Sequence, residues 1–384
     1  MGQKPSTVHQ NNLANELYLA CCNGDINRVR ELLPHSSYTE VNYLHPITGF
    51  SPLHVACSYG HDEIVRILLA NIYCDRNIRN RNGNTPYDES NLTSIRSLFA
   101  RPLSLHRQNR FMDDSTRTSP FQLITASESS SDRPDHWVTG YFSSAEAVDS
   151  QLMLTLSQTS SPIMKFFLNA RTERESRQIV RGLIEVNIPI NHRDYQNAQN
   201  LYKQFIDKNS IESLLTIYTL QTPFYNALQM NADAYAVLVY LHLQEIRTRA
   251  FHGITYRGMN ISHADFEAYK WAYARAAVLQ TRIFQSTSKS PEVAYALGDH
   301  PVVNDRISII MCFDFAEPCP SAIDLCGISY FKDEDEVLLL PFTLFRVISI
   351  SEINFFHHTY QKITMKNLPV PSSTLWASSR KKRI

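Results

Sequence analysis

The chain has 384 residues and a mass of 44.1 kDa, enough at ~150 residues per domain for two or three domains with cores of their own. Its 37 Lys and Arg balance 37 Asp and Glu, and hydrophobic residues make up 43% against 19% charged. That is a globular composition, and its neutrality argues against a protein that grips nucleic acid through a broadly basic surface. Glycine is scarce, with 11 in all and the closest pair at Gly253 and Gly258. No G-x-G-x-x-G dinucleotide loop and no G-x-S-x-G nucleophile elbow can exist. Gly253 and Gly258 have phosphate-loop spacing, but Met259 and Asn260 stand where Lys and Ser/Thr are needed.

From the N-terminus, Met1-Gly2 with Ser6 fits the N-myristoylation pattern. One myristoyl chain anchors weakly and needs a second signal. The tail Arg380-Lys381-Lys382-Arg383 could supply it, act as a nuclear-import patch, or simply keep the C-terminus solvated. No apolar leader opens the chain, and its longest uncharged stretches carry Pro46, Pro52 and Pro223, which makes them poor membrane spans. Seven cysteines, Cys21, Cys22, Cys57, Cys74, Cys312, Cys319 and Cys326, form no C-x-x-C pair. Reduced thiols in a cytoplasmic protein are the expectation, with the last three as small core residues and no metal site.

Leu17–Asp25 reappears at Leu53–His61, including Gly24 with Gly60, and Leu32-Leu33 matches Leu68-Leu69. Ser51-Pro52-Leu53-His54 resembles the T-P-L-H-x-A signature of an ankyrin repeat, and Gly83-Asn84-Thr85-Pro86 opens a third, degenerate copy that runs into Ile95, Leu98 and Phe99. Pro52 suits a helix start and Gly60 the turn between two antiparallel helices. Leu53, Ala56, Ile64, Val65, Leu68 and Leu69 form faces that only a stacked neighbour can cover. Residues 13–100 are therefore expected to be an all-α ankyrin stack that binds a protein partner, or that packs on the rest of the chain and only stabilises it.

Ser- and Thr-rich composition with Pro102, Pro120 and Pro134 reads as a disordered linker over 101–136. Helical spacing follows from Ala145 to Val186, leaving 137–189 a helical region of uncertain affiliation. Tyr195–Phe205 and Ala232–Phe251 read as helices; Ile307–Phe315 and Val337–Leu340 read as strands. Helices first and strands later make 190–360 an α+β domain, with 361–384 as a basic tail.

Three motifs in that domain carry chemistry. Gly253-Ile254-Thr255-Tyr256-Arg257-Gly258 delivers an Arg at the end of an apolar run; alone, such an Arg is usually a surface charge. Ser286-Thr287-Ser288 follows a strand-like run; alone, it is most often a turn or a cap. Asp333-Glu334-Asp335-Glu336 runs into Val337–Leu340; as one strand from 334 to 340, it would put Glu334 and Glu336 on one face, ~6–7 Å apart. In this order the trio resembles the R-S-E class of arginine-specific mono-ADP-ribosyltransferases. Ile217-Tyr218-Thr219, Thr222–Tyr225, Pro341 and Phe345-Arg346-Val347 add to the likeness.

The resemblance implies an α+β ADP-ribosyltransferase domain, a helical subdomain followed by a β core, with NAD as substrate and a protein arginine as acceptor. By motif position Glu336 is the catalytic glutamate that hydrogen-bonds the ribose and faces an oxocarbenium-like centre. Ser286 orients Glu336, and Arg257 pairs with NAD phosphate or ribose beside Tyr256 and Gly258. Glu334 orients the acceptor guanidinium and takes its proton; a Gln there would imply Asn, Cys or Gln as acceptor. Water as acceptor, giving an NAD glycohydrolase, and an inactive ankyrin scaffold are the competing readings. A zinc hydrolase is a poor fourth, because seven-residue cysteine gaps are not ligand spacing and no H-E-x-x-H occurs.

Overall fold

The computed structural model describes residues 7–100, 121–123, 170–230, 232–298, 306–355 and 358–369. Gly2, the basic run 380–383 and most of the expected linker lie outside the described residues. Contacts divide the chain into two compact units that do not follow sequence order. One comprises 1–102, 184–222 and 328–333; the other comprises 103–183, 223–327 and 334–384.

The first unit begins as paired helices, Thr7–Asn23 with Ile26–Leu32, Pro52–Tyr59 with Asp62–Ala70, and Pro86–Glu89 with Thr93–Leu98. Pro52 occupies the first helical turn, as the sequence implies, with Ser51 as N-cap accepting the His54 N–H at 3.3 Å. Gly60 ends that helix at φ 81°, and Gly24 holds the equivalent turn at φ 71°; a Cβ on Gly24 would meet the His61 ring at 2.9 Å. Leu17, Val29, Leu53, Ala56, Ile64, Val65, Leu68, Ile95 and Phe99 close into one core. The helices Tyr195–Lys208 and Ile211–Thr219 belong to this unit too. The Asn197 amide donates to the Cys74 carbonyl at 3.4 Å and Arg193 to the Leu69 carbonyl at 3.4 Å. Asn197 and Arg193 thus bond to repeat residues that precede them by more than a hundred positions.

The second unit is built on an eight-stranded sheet: β1 Phe121–Leu123, β2 Ala250–Ser262, β3 Val278–Thr281, β4 Gln285–Ser288, β5 Arg306–Asp324, β6 Glu336–Leu339, β7 Leu344–Phe355 and β8 His358–Asn367. The order is β1-β3-β7-β8-β5-β2-β4-β6, and β6 also pairs with β5. Among the described strand pairs, only β5 and β8 run parallel. β2, β4, β6 and β5 thus close on one another. Met259, Met311, Phe313, Val337, Leu339, Phe345, Ile363 and Met365 form the core on one face.

Four sequence expectations change here. The helix expected over 232–251 stops at Leu241, and Phe251 lies in β2; the β-rich run Ile254-Thr255-Tyr256 pulls the segment into the sheet, where β5 pairs with it throughout. Residues 121–123, inside the expected linker, pair with Leu279–Thr281. Residues 361–367, expected as the start of a tail, lie in β8 and bond to both β5 and β7. Cys312 and Cys319 are buried as expected of core residues, but Cys326 is exposed. No helix among the described residues is long and apolar enough to cross a membrane.

Candidate active site

The three motifs meet on three adjacent strands. Tyr256 of β2 pairs with Ser288 of β4, and Ser288 pairs with Glu336 of β6. Antiparallel partners directly opposite share a face, so Tyr256, Ser288 and Glu336 form a row across the sheet at strand spacings of ~4.8 Å. The strands bring together residues separated by up to 80 positions because β4 and β6 are short four-residue strands wedged between longer ones.

Ser286 faces the same way, two residues along, opposite Leu338, which makes it the diagonal neighbour of Glu336. The hydroxyl directly across from Glu336 is that of Ser288, and sequence reasoning gave it no role. The signal was available in the Ser-x-Ser alternation, which sends both hydroxyls to one face. Ser288 Oγ donates to the Glu334 carbonyl at 2.6 Å and accepts from the Ser290 N–H at 3.1 Å. Thr287, pointing the other way, donates to the Val337 carbonyl at 2.8 Å.

Arg257 lies one residue off the row, opposite Met311. It is fully buried, and its Nη1 donates to the Ser286 carbonyl at 2.7 Å. The guanidinium thus holds β4 by its backbone, a partner the sequence did not foresee. Gly258, opposite Ile310, is a buried ladder residue. Tyr256 packs against the cluster of Ala294, Ile310 and Tyr360, and burial pushes its phenol pKa up, so it stays neutral at neutral pH.

Glu334 does not share a strand with Glu336, which corrects the 334–340 strand expectation. Lys332–Glu334 form a 3-10 turn and β6 starts at Glu336. Asp335 between them adopts φ 44°, a left-handed conformation that breaks period-2 alternation and that Asp tolerates better than most residues. Its carbonyl accepts the Lys289 N–H at 3.0 Å, and the Glu336 carbonyl accepts the Leu325 N–H at 3.0 Å. Beside the turn, Lys289 and Asp324 form an ion pair at 2.8 Å.

Arg257, Ser286 and Ser288 are 0% exposed, Glu336 is 1% and Glu334 is 6%. Burying two carboxylates and a guanidinium inside a sheet costs several kcal/mol per ion unless they are compensated, and an apolar set would usually stabilise the sheet as well. Among the described residues, no group of three His, Cys, Asp or Glu side chains could hold a metal ion.

Residues 6–89 match the family model described as ankyrin repeats (3 copies), and this part of the chain is an ankyrin stack. A curated relative, the tyrosine-protein kinase HTK16 of Hydra vulgaris, is 39% identical over 74 residues, 19% of this chain. The match spans about a tenth of that kinase's length. Among solved structures, the ADP-ribosyltransferase HopU1 of Pseudomonas syringae covers 52% of this chain and 98% of its own, at 12% identity and a TM-score of 0.35. The type III effector XopAI of Xanthomonas axonopodis covers 62% of this chain and all of its own, at 15% identity and a TM-score of 0.35. The Vis toxin, an ADP-ribosyltransferase of Vibrio splendidus, covers 51% and 85%, at 19% identity and a TM-score of 0.27.

Proposed function

We propose that this chain is a mono-ADP-ribosyltransferase that transfers ADP-ribose from NAD to arginine side chains of a protein. The observation that carries the reading is the row of Ser288 and Glu336 on β4 and β6 with Ser286 diagonal to it, and Arg257 of the neighbouring β2 bonded to the Ser286 carbonyl, with Glu334 set apart from Glu336 by one left-handed residue.

In the proposed reaction the bond from ribose C1′ to the nicotinamide nitrogen breaks, and its electron pair leaves with nicotinamide. Glu336 holds a ribose hydroxyl and faces the cationic centre that develops at C1′. A guanidinium nitrogen of the acceptor forms the new bond to C1′ and gives its proton to Glu334. The guanidinium, with a pKa above ~12, needs that base. The bend at Asp335 suits the division of labour, because it turns the two carboxylates away from a common row. Ser288 and Ser286 hold the frame around Glu336, and Arg257 braces β4. For Arg257 to reach an NAD phosphate, its guanidinium would have to exchange the Ser286 carbonyl for the phosphate. The ankyrin repeats supply a surface for a protein partner.

The test is incubation of the full chain with labelled NAD and agmatine, a minimal guanidinium acceptor. Labelled agmatine is the expected product. Glu334→Gln should lose transfer by about 10²–10³-fold while keeping release of free ADP-ribose, and Glu336→Gln should lose both. Free ADP-ribose with no labelled agmatine in the parent chain would make it an NAD glycohydrolase. Failure to release nicotinamide at all would make it an inactive scaffold and overturn the proposal.

A further inference from the structure

The repeat unit holds a cavity of about 250 Å³. All of its lining residues fall within 1–102, 184–222 and 328–333, so the cavity is complete inside that unit. Three guanidinium groups line it, those of Arg66, Arg76 and Arg193, and no Asp or Glu is among the lining residues. Leu69, Leu98 and Phe331 supply apolar wall. Two of the polar side chains are more than nine-tenths buried, Arg76 at 4% exposed and Gln221 at 7%. Each keeps a donor, Arg76 Nε and Gln221 Nε2, that bonds to nothing among the described residues.

Arg76 lies in the loop between the helices Asp62–Ala70 and Pro86–Glu89. Its Nη2 donates to the Phe99 carbonyl at 2.5 Å. Its guanidinium carbon lies over the rings of Phe99, Tyr330 and Phe331, at 5.2, 5.0 and 4.7 Å from their centroids. The rings take the faces of the guanidinium and leave its N–H edge for an acceptor. Asp194 does not supply one: its Oδ1 accepts from the Tyr330 hydroxyl at 3.0 Å, and its Oδ2 lies 3.8 Å from Arg193 Nε. Burial pushes the Arg76 pKa below its ordinary value and the like charge of Arg193 adds to this, against Tyr330, Asp194 and Asp333. A buried cation beside a buried amide donor, both short of an acceptor, costs stability that an anion in the cavity would recover. The apolar walls decide which anion. A carboxylate is planar, carries one charge and takes two N–H bonds from a guanidinium. A phosphate near neutral pH carries almost two charges and would lose more hydration against Leu69, Leu98 and Phe331. The volume lies below the ~300–1,000 Å³ of sites for drug-sized ligands, so the ligand has few heavy atoms beyond its carboxylate.

We propose that this cavity binds a small monocarboxylic acid with an apolar body. Arg76 and Gln221 donate to the carboxylate, and Leu69, Leu98 and Phe331 enclose the body. Arg66, which is exposed, and Arg193 draw the anion in by charge. The site stands whether or not the chain transfers ADP-ribose.

The experiment is calorimetric titration of the full chain with sodium benzoate, beside benzamide, which has the same shape without the charge, and inorganic phosphate. Benzoate should bind one-to-one with a Kd on the order of 1 mM or tighter, and benzamide at least about tenfold more weakly. Gln221→Met keeps the length of the side chain and removes the donor. It should weaken benzoate about tenfold while the thermal midpoint stays unchanged or rises, because an unpartnered buried amide is gone. Arg76→Lys keeps a charge over the rings and loses the planar fork, and it should weaken benzoate by about tenfold or more. Arg66→Gln should leave the midpoint alone and weaken benzoate about threefold at low salt, an effect that fades as salt is added. Benzoate that does not bind, or binds no better than benzamide, overturns the proposal. So does unchanged benzoate affinity in Gln221→Met. Phosphate binding more tightly than benzoate overturns the assignment to an apolar acid.

Discussion

Asp335 governs where the two glutamates sit. At φ 44° it departs from the extended backbone of Glu336–Leu339, and a left-handed residue costs roughly 1–2 kcal/mol in any non-glycine. The Asp335 carbonyl is tied to the Lys289 N–H and the Glu334 carbonyl to Ser288 Oγ, which sustains the bend. Replacing Asp335 by Gly should keep the turn, leave the thermal midpoint unchanged or slightly raised, and preserve transfer. Asp335→Val places a β-branched residue in the left-handed region. It should lower stability by about 1–2 kcal/mol and reduce labelled agmatine more than ADP-ribose release. A Val variant with parent stability and parent transfer would mean that the bend is incidental. The sequence disclosed the acids and their order. It did not disclose the bend, because Asp-Glu-Asp-Glu ahead of an apolar run reads equally well as a continuous strand.

Elements with local punctuation were the most legible. The second repeat has Pro52 inside its first turn and Gly60 at its end, both where the pattern put them. His54 adds a feature that depends on pH. Its Nδ1 lies 3.1 Å from the Ser51 N–H and its Nε2 lies 3.0 Å from the Asn84 carbonyl, so the ring accepts on Nδ1, donates from Nε2 and is neutral. Burial pushes its pKa below the ordinary value, opposed by the Asn84 carbonyl and by Glu89 and Asp88, and assisted by Lys332. The folded pKa is therefore the lower of the two. Stability from His54 is complete above the unfolded value of ~6.5 and is lost as pH falls below it, by at most about 1.4 kcal/mol per pH unit. Thermal midpoints between pH 8 and 5 should decline less steeply in His54→Gln than in the parent; parallel curves would remove His54 from the linkage. β4 and β6 lie at the other extreme. Four residues give no reliable period, and their pairing was recoverable only through the resemblance carried by Ser286-Thr287-Ser288 and Glu334-Asp335-Glu336.

At the scale of the molecule, the two units share one chain that leaves the first and returns to it twice. Nothing periodic announces this. Lys332 and Asp88 are 244 positions apart, and Asn77 and Ser329 are 252 apart, so no local pattern relates them. The interleaving has a consequence for heating. Leu68, fully buried among Ile64, Val65 and Ile95, lies far in sequence from the glutamates, and Leu68→Ala should destabilise the repeat unit by about 2–5 kcal/mol. The sheet has its own core around Met311 and Phe313, so β2 and β5 should keep their exchange protection while the repeats open. Because 328–333 bond within the repeat unit, their amides in Leu68→Ala should lose protection at a temperature where β2 and β5 are still protected. In the parent the two losses should lie closer together. Hydrogen exchange over one temperature series decides it: protection of 328–333 that persists in Leu68→Ala until the sheet itself opens would mean that this segment does not depend on the repeats.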